Sequence, residues 1–205
     1  MSYRSTERTR KKKDAKRSAM MQAAVRVFAE KGYHAATIRD IVQAADVAVG
    51  TFYFYFPDKE TLFVYLYEET ADFLSRTIDQ ALRGRATLPM KVQAAVQAYI
   101  NIAVYEPAVV HMLLVGGVGA VPSLLDQRNR FRESLVDIWQ SPLDEVMEKG
   151  HITQQNTRRS AEAITGAVDE VILHLLDEPD PKEESESAVK DLTEFVLRAV
   201  AYRGI

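Results

Sequence analysis

The stretch that decides the fold is residues 37–59, TIRDIVQAADVAVGTFYFYFPDK. Ile38, Ile41, Val42 and Ala45 recur at i, i+3, i+4 and i+7, which puts them on one helix face. Thr37, just ahead of them, offers the hydroxyl that an N-cap needs. Ala45, Asp46 and Val47 form the expected turn, and a second helix is expected over about residues 48–55. Val49, Phe52 and Phe56 follow i, i+3, i+7 and are expected to face inward, with Tyr53 and Tyr55 nearer the outside. Pro57 lacks a backbone donor and disfavours helical geometry at Phe56, so the helix stops there. Asp58 is placed to cap the next helix. Lys59 falls in that helix's first turn, where a cation is unfavourable without an anionic partner. A DNA phosphate would be such a partner.

With the segment before it, this stretch resembles the TetR/AcrR family of bacterial transcriptional regulators. The matching residues are 28–33 (FAEKGY), 37–41 (TIRDI), 45–53 (ADVAVGTFY) and 55–63 (YFPDKETLF), within roughly the first third of the chain. The resemblance implies an all-α fold of about nine helices. A three-helix DNA-binding domain with a helix-turn-helix comes first, and a larger helical domain for effector binding and dimerisation follows. It also implies roles, carried over residue by residue. Thr37 resembles a phosphate contact, and Arg39 resembles a position that reaches a base edge, with guanine the usual arginine partner. Val49, Gly50 and Thr51 sit where the recognition helix meets the groove floor. Tyr53, Tyr55 and Lys59 resemble phosphate clamps, and Tyr55 can also touch a base. Few of these side chains are strong hydrogen-bonding readers, so DNA shape and thymine-methyl contacts by Ala48 or Val49 are expected to carry much of the specificity.

Charge distribution fits this division. Residues 1–59 carry 12 Lys+Arg against 6 Asp+Glu, whereas residues 60–205 carry 14 against 23. The basic excess therefore lies with the segment that would meet phosphate. The domains expected are a basic arm (1–13), the helix-turn-helix domain (14–59) and the helical effector domain (60–205). The arm reads either as a solvated tail or as a DNA contact along the minor groove. With no cysteine in the chain, disulfides, thiolate metal sites and cysteine nucleophiles are excluded. No run of 18 apolar residues and no signal-peptide core are present, so a cytoplasmic protein without a membrane partner is expected.

The first helix is expected over residues 14–31, with Met20, Ala24, Val27 and Phe28 buried and Gly32 as a left-handed cap. A long helix over 59–83 would belong to both domains. Pro89 opens a helix that ends at Glu106-Pro107, and residues 108–115 form a short apolar one. Residues 116–122, GGVGAVP, invite a phosphate-cradle reading, but they follow a helical pattern and lack the full fingerprint, so an inter-helix loop is expected. Residues 123–149 read as one helix kinked or broken at about 139–141 by Pro142. A helix over 158–176, an acidic loop over 177–186 and a last helix over 188–202 complete the chain.

In the second domain Tyr65, Phe73, Tyr99, Tyr105, His111, Met112, Arg128 and Trp139, with Met147, are candidates to line an effector cavity. Ordinary core is the alternative for each. Arg128 shares a stripe with Phe131 and Leu135, so it either snorkels to solvent or meets an acidic side chain or ligand. The resemblance implies that the last two helices pair with their copies in a second subunit. The candidates for that face are Ile164, Val168, Val171, Leu175, Leu192, Phe195 and Val196. Residues 166–170 resemble the acyl-CoA-responsive branch, and an aromatic or other lipophilic effector is equally open.

The function expected is a homodimeric regulator, a repressor released from a palindromic operator in double-stranded DNA by a small lipophilic effector. An activator or an acyl-CoA-responsive regulator of lipid metabolism is the alternative, and a helical adaptor without DNA binding is the remote one. HExxH, GxSxG and Walker signatures are missing, and His34, His111, His151 and His174 lack metal-ligand spacing. No enzyme, metal or cofactor is expected.

Overall fold

The computed structural model describes residues 7–117, 119 and 121–204. Among the described residues there are nine α-helices and no strand. They are α1 (Glu7–Ala35), α2 (Ile38–Ala44), α3 (Val49–Tyr55), α4 (Lys59–Leu82), α5 (Leu88–Tyr105), α6 (Pro107–Leu114), α7 (Leu125–Glu148), α8 (Thr157–Asp177) and α9 (Pro181–Ala199). A single 3-10 turn, Pro122–Leu124, leads into α7.

The first three helices close around Met20, Ala24, Phe28, Ile41, Val42, Phe52 and Phe56, all buried. Local chemistry sets α2. Asp40 N–H donates to Thr37 Oγ1 at 3.1 Å and Thr37 N–H donates to Asp40 Oδ2 at 2.9 Å, a reciprocal capping box. Asp46 takes the turn at φ 51, a left-handed conformation that a short polar side chain tolerates.

α4 begins in this first bundle and continues into the second, where it packs on α5 and α7. Its Phe63 ring stands edge-on to Phe28 at 4.8 Å and to Tyr33 at 5.1 Å, both on α1. Gly117 (φ 69) lies against the same ring. A Cβ there would come within 2.6 Å of Phe63, so only glycine lets the loop after α6 close over this junction. Ser123 Oγ adds a hydrogen bond to Glu60 Oε1 at 2.5 Å. The second bundle therefore bears on the first through α4, α6 and this loop.

Several expectations need correction. α1 starts at Glu7, so residues 7–13 of the expected arm are helical. No glycine or proline precedes Gly32, and lysine and arginine are good helix formers. Residues 1–6 of that arm, and Val118 and Ala120 of the glycine-rich loop, lie outside the described residues. Gly32 has the positive φ expected (72°), but its ψ of 165° is extended rather than left-handed helical, and one further turn follows it. α7 runs unbroken through Pro142. The ring is buried beside Trp139, Leu143 and Val146, so packing holds the helix where only one carbonyl loses its donor. α9 starts seven residues before the helix expected over 188–202. Asp180 caps it through the Lys182 and Glu183 amides, Pro181 opens it, and Glu183 and Glu184 complement the positive end of its dipole. What composition marks as an acidic loop is a helix start.

No helix among the described residues is long and apolar enough to cross a membrane.

Candidate functional site

α3 presents one face to solvent. Ala48, Val49, Gly50, Tyr53 and Phe54 are exposed, Thr51 is half-buried, and Arg39 on α2 is exposed beside them. Val49 is 44% exposed, which corrects its expected inward placement. Of that set only Phe52 and Phe56 are buried, Phe56 from the extended C-cap position after the helix. Gly50 is informative by what surrounds it. A Cβ there would meet nothing within 4 Å, so no packing inside the chain requires glycine. Glycine within a helix costs roughly 0.5–1 kcal/mol relative to alanine.

The three expected clamps divide. Tyr53 is exposed and available. The Tyr55 hydroxyl donates to the Lys13 carbonyl at 2.9 Å and so fastens α3 to α1. The Lys59 ammonium donates to the Tyr33 and Ala36 carbonyls at 2.7 and 2.8 Å and reaches that of His34 at 3.5 Å. It also lies 4.4 Å from the Tyr33 ring centroid. Burial pushes its pKa below the ordinary lysine value. Lys59 thus has its partners inside the chain, at the end of α1, and a phosphate contact would require it to release one. The Thr37 hydroxyl likewise donates to Asp40 Oδ2 at 2.7 Å. Asp40 also accepts from Lys31 at 2.7 Å, and these bonds, Lys31 first and then Thr37, draw its pKa down to about 2.

Phe54 is the surface residue that sequence reasoning passed over. It is 66% exposed, stacks edge-on against Tyr55 at 4.9 Å, and carries the Lys13 ammonium 5.0 Å from its ring centroid. Five consecutive aromatics, residues 52–56, with only Phe52 and Phe56 in the core were the available signal.

The eight ligand candidates do not come together. Tyr99, Met112 and Trp139 are buried in the core, whereas Phe73, Tyr105 (67% exposed) and His111 face solvent. Tyr65 is half-buried at the base of the first bundle, with the Arg17 guanidinium 4.9 Å from its ring. None of the eight lines the ≈640 Å³ cleft between α4 and α7 or the ≈310 Å³ cleft beside it.

What four helices do bring together is a polar cluster, buried at Tyr67, Tyr99 and Asp169, with Arg132 exposed at its edge. The Tyr99 hydroxyl (α5) donates to Asp169 Oδ1 (α8) at 2.9 Å, and Arg132 Nη1 (α7) lies 3.4 Å from Asp169 Oδ2. The Tyr67 hydroxyl (α4) donates to the Leu113 carbonyl at 3.2 Å. Burial holds the Asp169 carboxyl up at about 6, against the opposing pull of Tyr99 and Arg132. Burial also pushes Tyr67 up to about 12, while Arg128 and Arg132 pull it down and Asp169 pushes it up. Arg128 is half-buried, and its Nη1, like Gln127 Oε1, is buried without a hydrogen-bond partner. Asp169 was legible as a charge on the inward stripe Ile164-Thr165-Val168-Ile172.

The dimerisation candidates also divide. Ile164, Val168 and Val196 are in this chain's own core, and Val171 and Phe195 are exposed. Leu175 and Leu192, buried, and Val171 and Phe195 line a groove of ≈470 Å³ between α8 and α9.

The chain is similar to known proteins along most of its length. The model of bacterial regulatory proteins of the tetR family matches residues 20–66. A tetracyclin repressor-like C-terminal domain model matches residues 90–198. The chain is 26% identical over 166 residues to the fatty acid metabolism regulator protein of Bacillus subtilis, covering 79% of this chain and 84% of that one. It is 32% identical over 89 residues, 43% of this chain and 41% of the relative, to the HTH-type transcriptional activator FasR of Mycolicibacterium smegmatis. Its fold is similar to that of the transcriptional regulator FadR from Bacillus subtilis solved in complex with stearoyl-CoA. The TM-score is 0.75 at 23% identity, over 86% of this chain and 97% of that one.

Proposed function

We propose that this chain, which belongs to the TetR family of DNA-binding transcriptional regulators, is a homodimeric repressor of lipid-metabolism genes that leaves a palindromic operator when a long-chain acyl compound binds. The observation that carries the DNA half of this reading is the open face of α3. Gly50 has no internal reason to be glycine, and exposed Val49, Tyr53 and Phe54 surround it. The acyl half is supported by likeness to the fatty acid metabolism regulator over most of both chains. A second copy would cover the α8–α9 groove. The two recognition helices must then sit about one helical turn, roughly 34 Å, apart to meet both half-sites.

The switch follows from α4. Its first turn is tied to α1 by Lys59, and its remainder packs on α5 and α7. An effector that shifts α4 against α7 moves the recognition helices with it. A coupling of about 1–3 kcal/mol changes operator occupancy by one to two decades. The protein acts in the cytoplasm, as a regulator and not as an enzyme. Activation is the second reading: the sign of control depends on operator position, and FasR is named an activator.

The test is a titration of operator-bound protein with stearoyl-CoA. Release of DNA, and an equal weakening of stearoyl-CoA binding by operator, is the expected result, because linkage is reciprocal. Operator affinity unchanged by saturating acyl compound contradicts the acyl half.

A further inference from the structure

The cluster sets two guanidinium groups, Arg128 half-buried and Arg132 exposed, against one buried carboxylate. Arg128 and Arg132 stand one turn apart on α7, and Asp169 is the one carboxylate bonded to either among the described residues. Asp169 already accepts from Tyr99 and Arg132. Arg128 Nη1 is buried and has no acceptor. A charged donor inside a fold without an acceptor calls for an explanation, and the planar guanidinium fork fits carboxylate and phosphate oxygens. Beyond Arg128, the same stripe of α7 becomes apolar at Phe131, Leu135 and Trp139. From Arg128 to Trp139 the helix rises roughly 16 Å, at about 1.5 Å per residue.

We propose that Arg128, with Arg132 beside it, is the head-group anchor of the effector site: it takes an oxyanion, carboxylate or phosphate, carried on an acyl chain whose tail lies along Phe131, Leu135 and Trp139 between α4 and α7. This inference rests on the acyl reading above. The stripe is packed in the present structure, so the tail enters by parting α4 from α7. Binding and the position of the recognition helices are thereby the same event. Asp169 competes with the ligand's oxyanion for Arg132 and sets how strongly it is held.

Trp139 is the only tryptophan of the chain, so its emission reports binding directly. The full-length protein is titrated with stearate, stearoyl-CoA and neutral methyl stearate, below the concentrations at which they self-associate. Arg128→Met is expected to weaken the charged compounds by about tenfold or more, the loss of a charge-assisted bond, and to leave methyl stearate unchanged. Arg128 is half-buried and its Nη1 has no acceptor, so an unbranched apolar replacement breaks no hydrogen bond at that atom. Asp169→Asn moves the other way and tightens the charged compounds severalfold, a sign that a purely structural role for Asp169 does not produce. Weakening for stearate identifies a carboxylate head, and weakening for stearoyl-CoA alone identifies the coenzyme's phosphates. Wild-type affinity of Arg128→Met for both charged compounds overturns the anchor and leaves the acyl reading standing. Wild-type protein that binds neither charged compound overturns both.

Discussion

The Lys59 ammonium hydrogen-bonds the Tyr33 carbonyl at 2.7 Å and lies 4.4 Å from the centroid of the same residue's ring. One side chain at the start of α4 thus ties up the end of α1, where helix carbonyls would otherwise lack donors. The cation that is unfavourable in its own helix's first turn is favourable at another helix's C-terminus. The long helix of the effector bundle is thereby fastened to the helix that supports α2 and α3.

Lys59→Met is predicted to lower the stability of the DNA-free protein by about 1–3 kcal/mol, because carbonyls of Tyr33 and Ala36 lose their donor. Denaturant unfolding without DNA checks this. A pure phosphate contact would leave that stability unchanged and affect DNA binding alone.

Gly50→Ala separates folding from function. Open space over Gly50 means the methyl group meets nothing in the chain. Stability is predicted to rise by about 0.5–1 kcal/mol, while operator affinity falls. Unfolding curves and operator titrations of the same preparation measure the two effects. A variant that binds DNA as wild type would mean that no close approach occurs at this position.

Phe54→Ala tests the residue that periodicity did not single out. Its ring is mostly exposed, so stability is predicted to change by less than about 0.5 kcal/mol. DNA affinity is predicted to fall, and Lys13, which lies over the ring, loses its orientation. Binding isotherms at two salt concentrations read this out.

Stability should depend on pH through Asp169. Its carboxyl is raised from 3.8 to about 6 by burial, against the opposing pull of Tyr99 (α5) and Arg132 (α7). Between about pH 4 and 6 the folded chain keeps a proton that the unfolded chain has released. Stability therefore falls as pH rises through this window, by up to about 3 kcal/mol. Asp40 and Glu145 work in the opposite sense. Both are drawn down to about 2, Glu145 by Lys149 and Lys91, so their stabilisation is lost as pH falls from about 4 towards 2. Asp169→Asn is predicted to abolish the upper slope and keep the lower one, in unfolding measured from pH 3 to 7.

Legibility in the sequence followed the physics of each element. The helix-turn-helix was readable because Thr37, Asp58 and Pro57 act within a few residues of themselves, and the caps they form are the ones observed. Burial along α5 was readable because Val92, Ala95, Val96, Tyr99, Ile100 and Ala103 keep one helical period. Interactions between distant segments were not readable. Lys59 finds carbonyls 23 to 26 residues away, and Tyr55 finds one 42 away. Aromatic content did not show which side chains come together either, since Phe73 and Tyr105 face outward while Tyr99 and Trp139 are in the core. The start of α9 was obscured by acidic composition, although Asp180-Pro181 is itself a helix-start signal.

Selection of bound duplexes from a random library by the purified full-length protein tests the central claim most directly. The account predicts enrichment of one palindromic site whose half-sites lie about one helical turn apart, lost in Tyr53→Ala. Binding that is salt-sensitive but enriches no sequence would contradict a sequence-specific regulator.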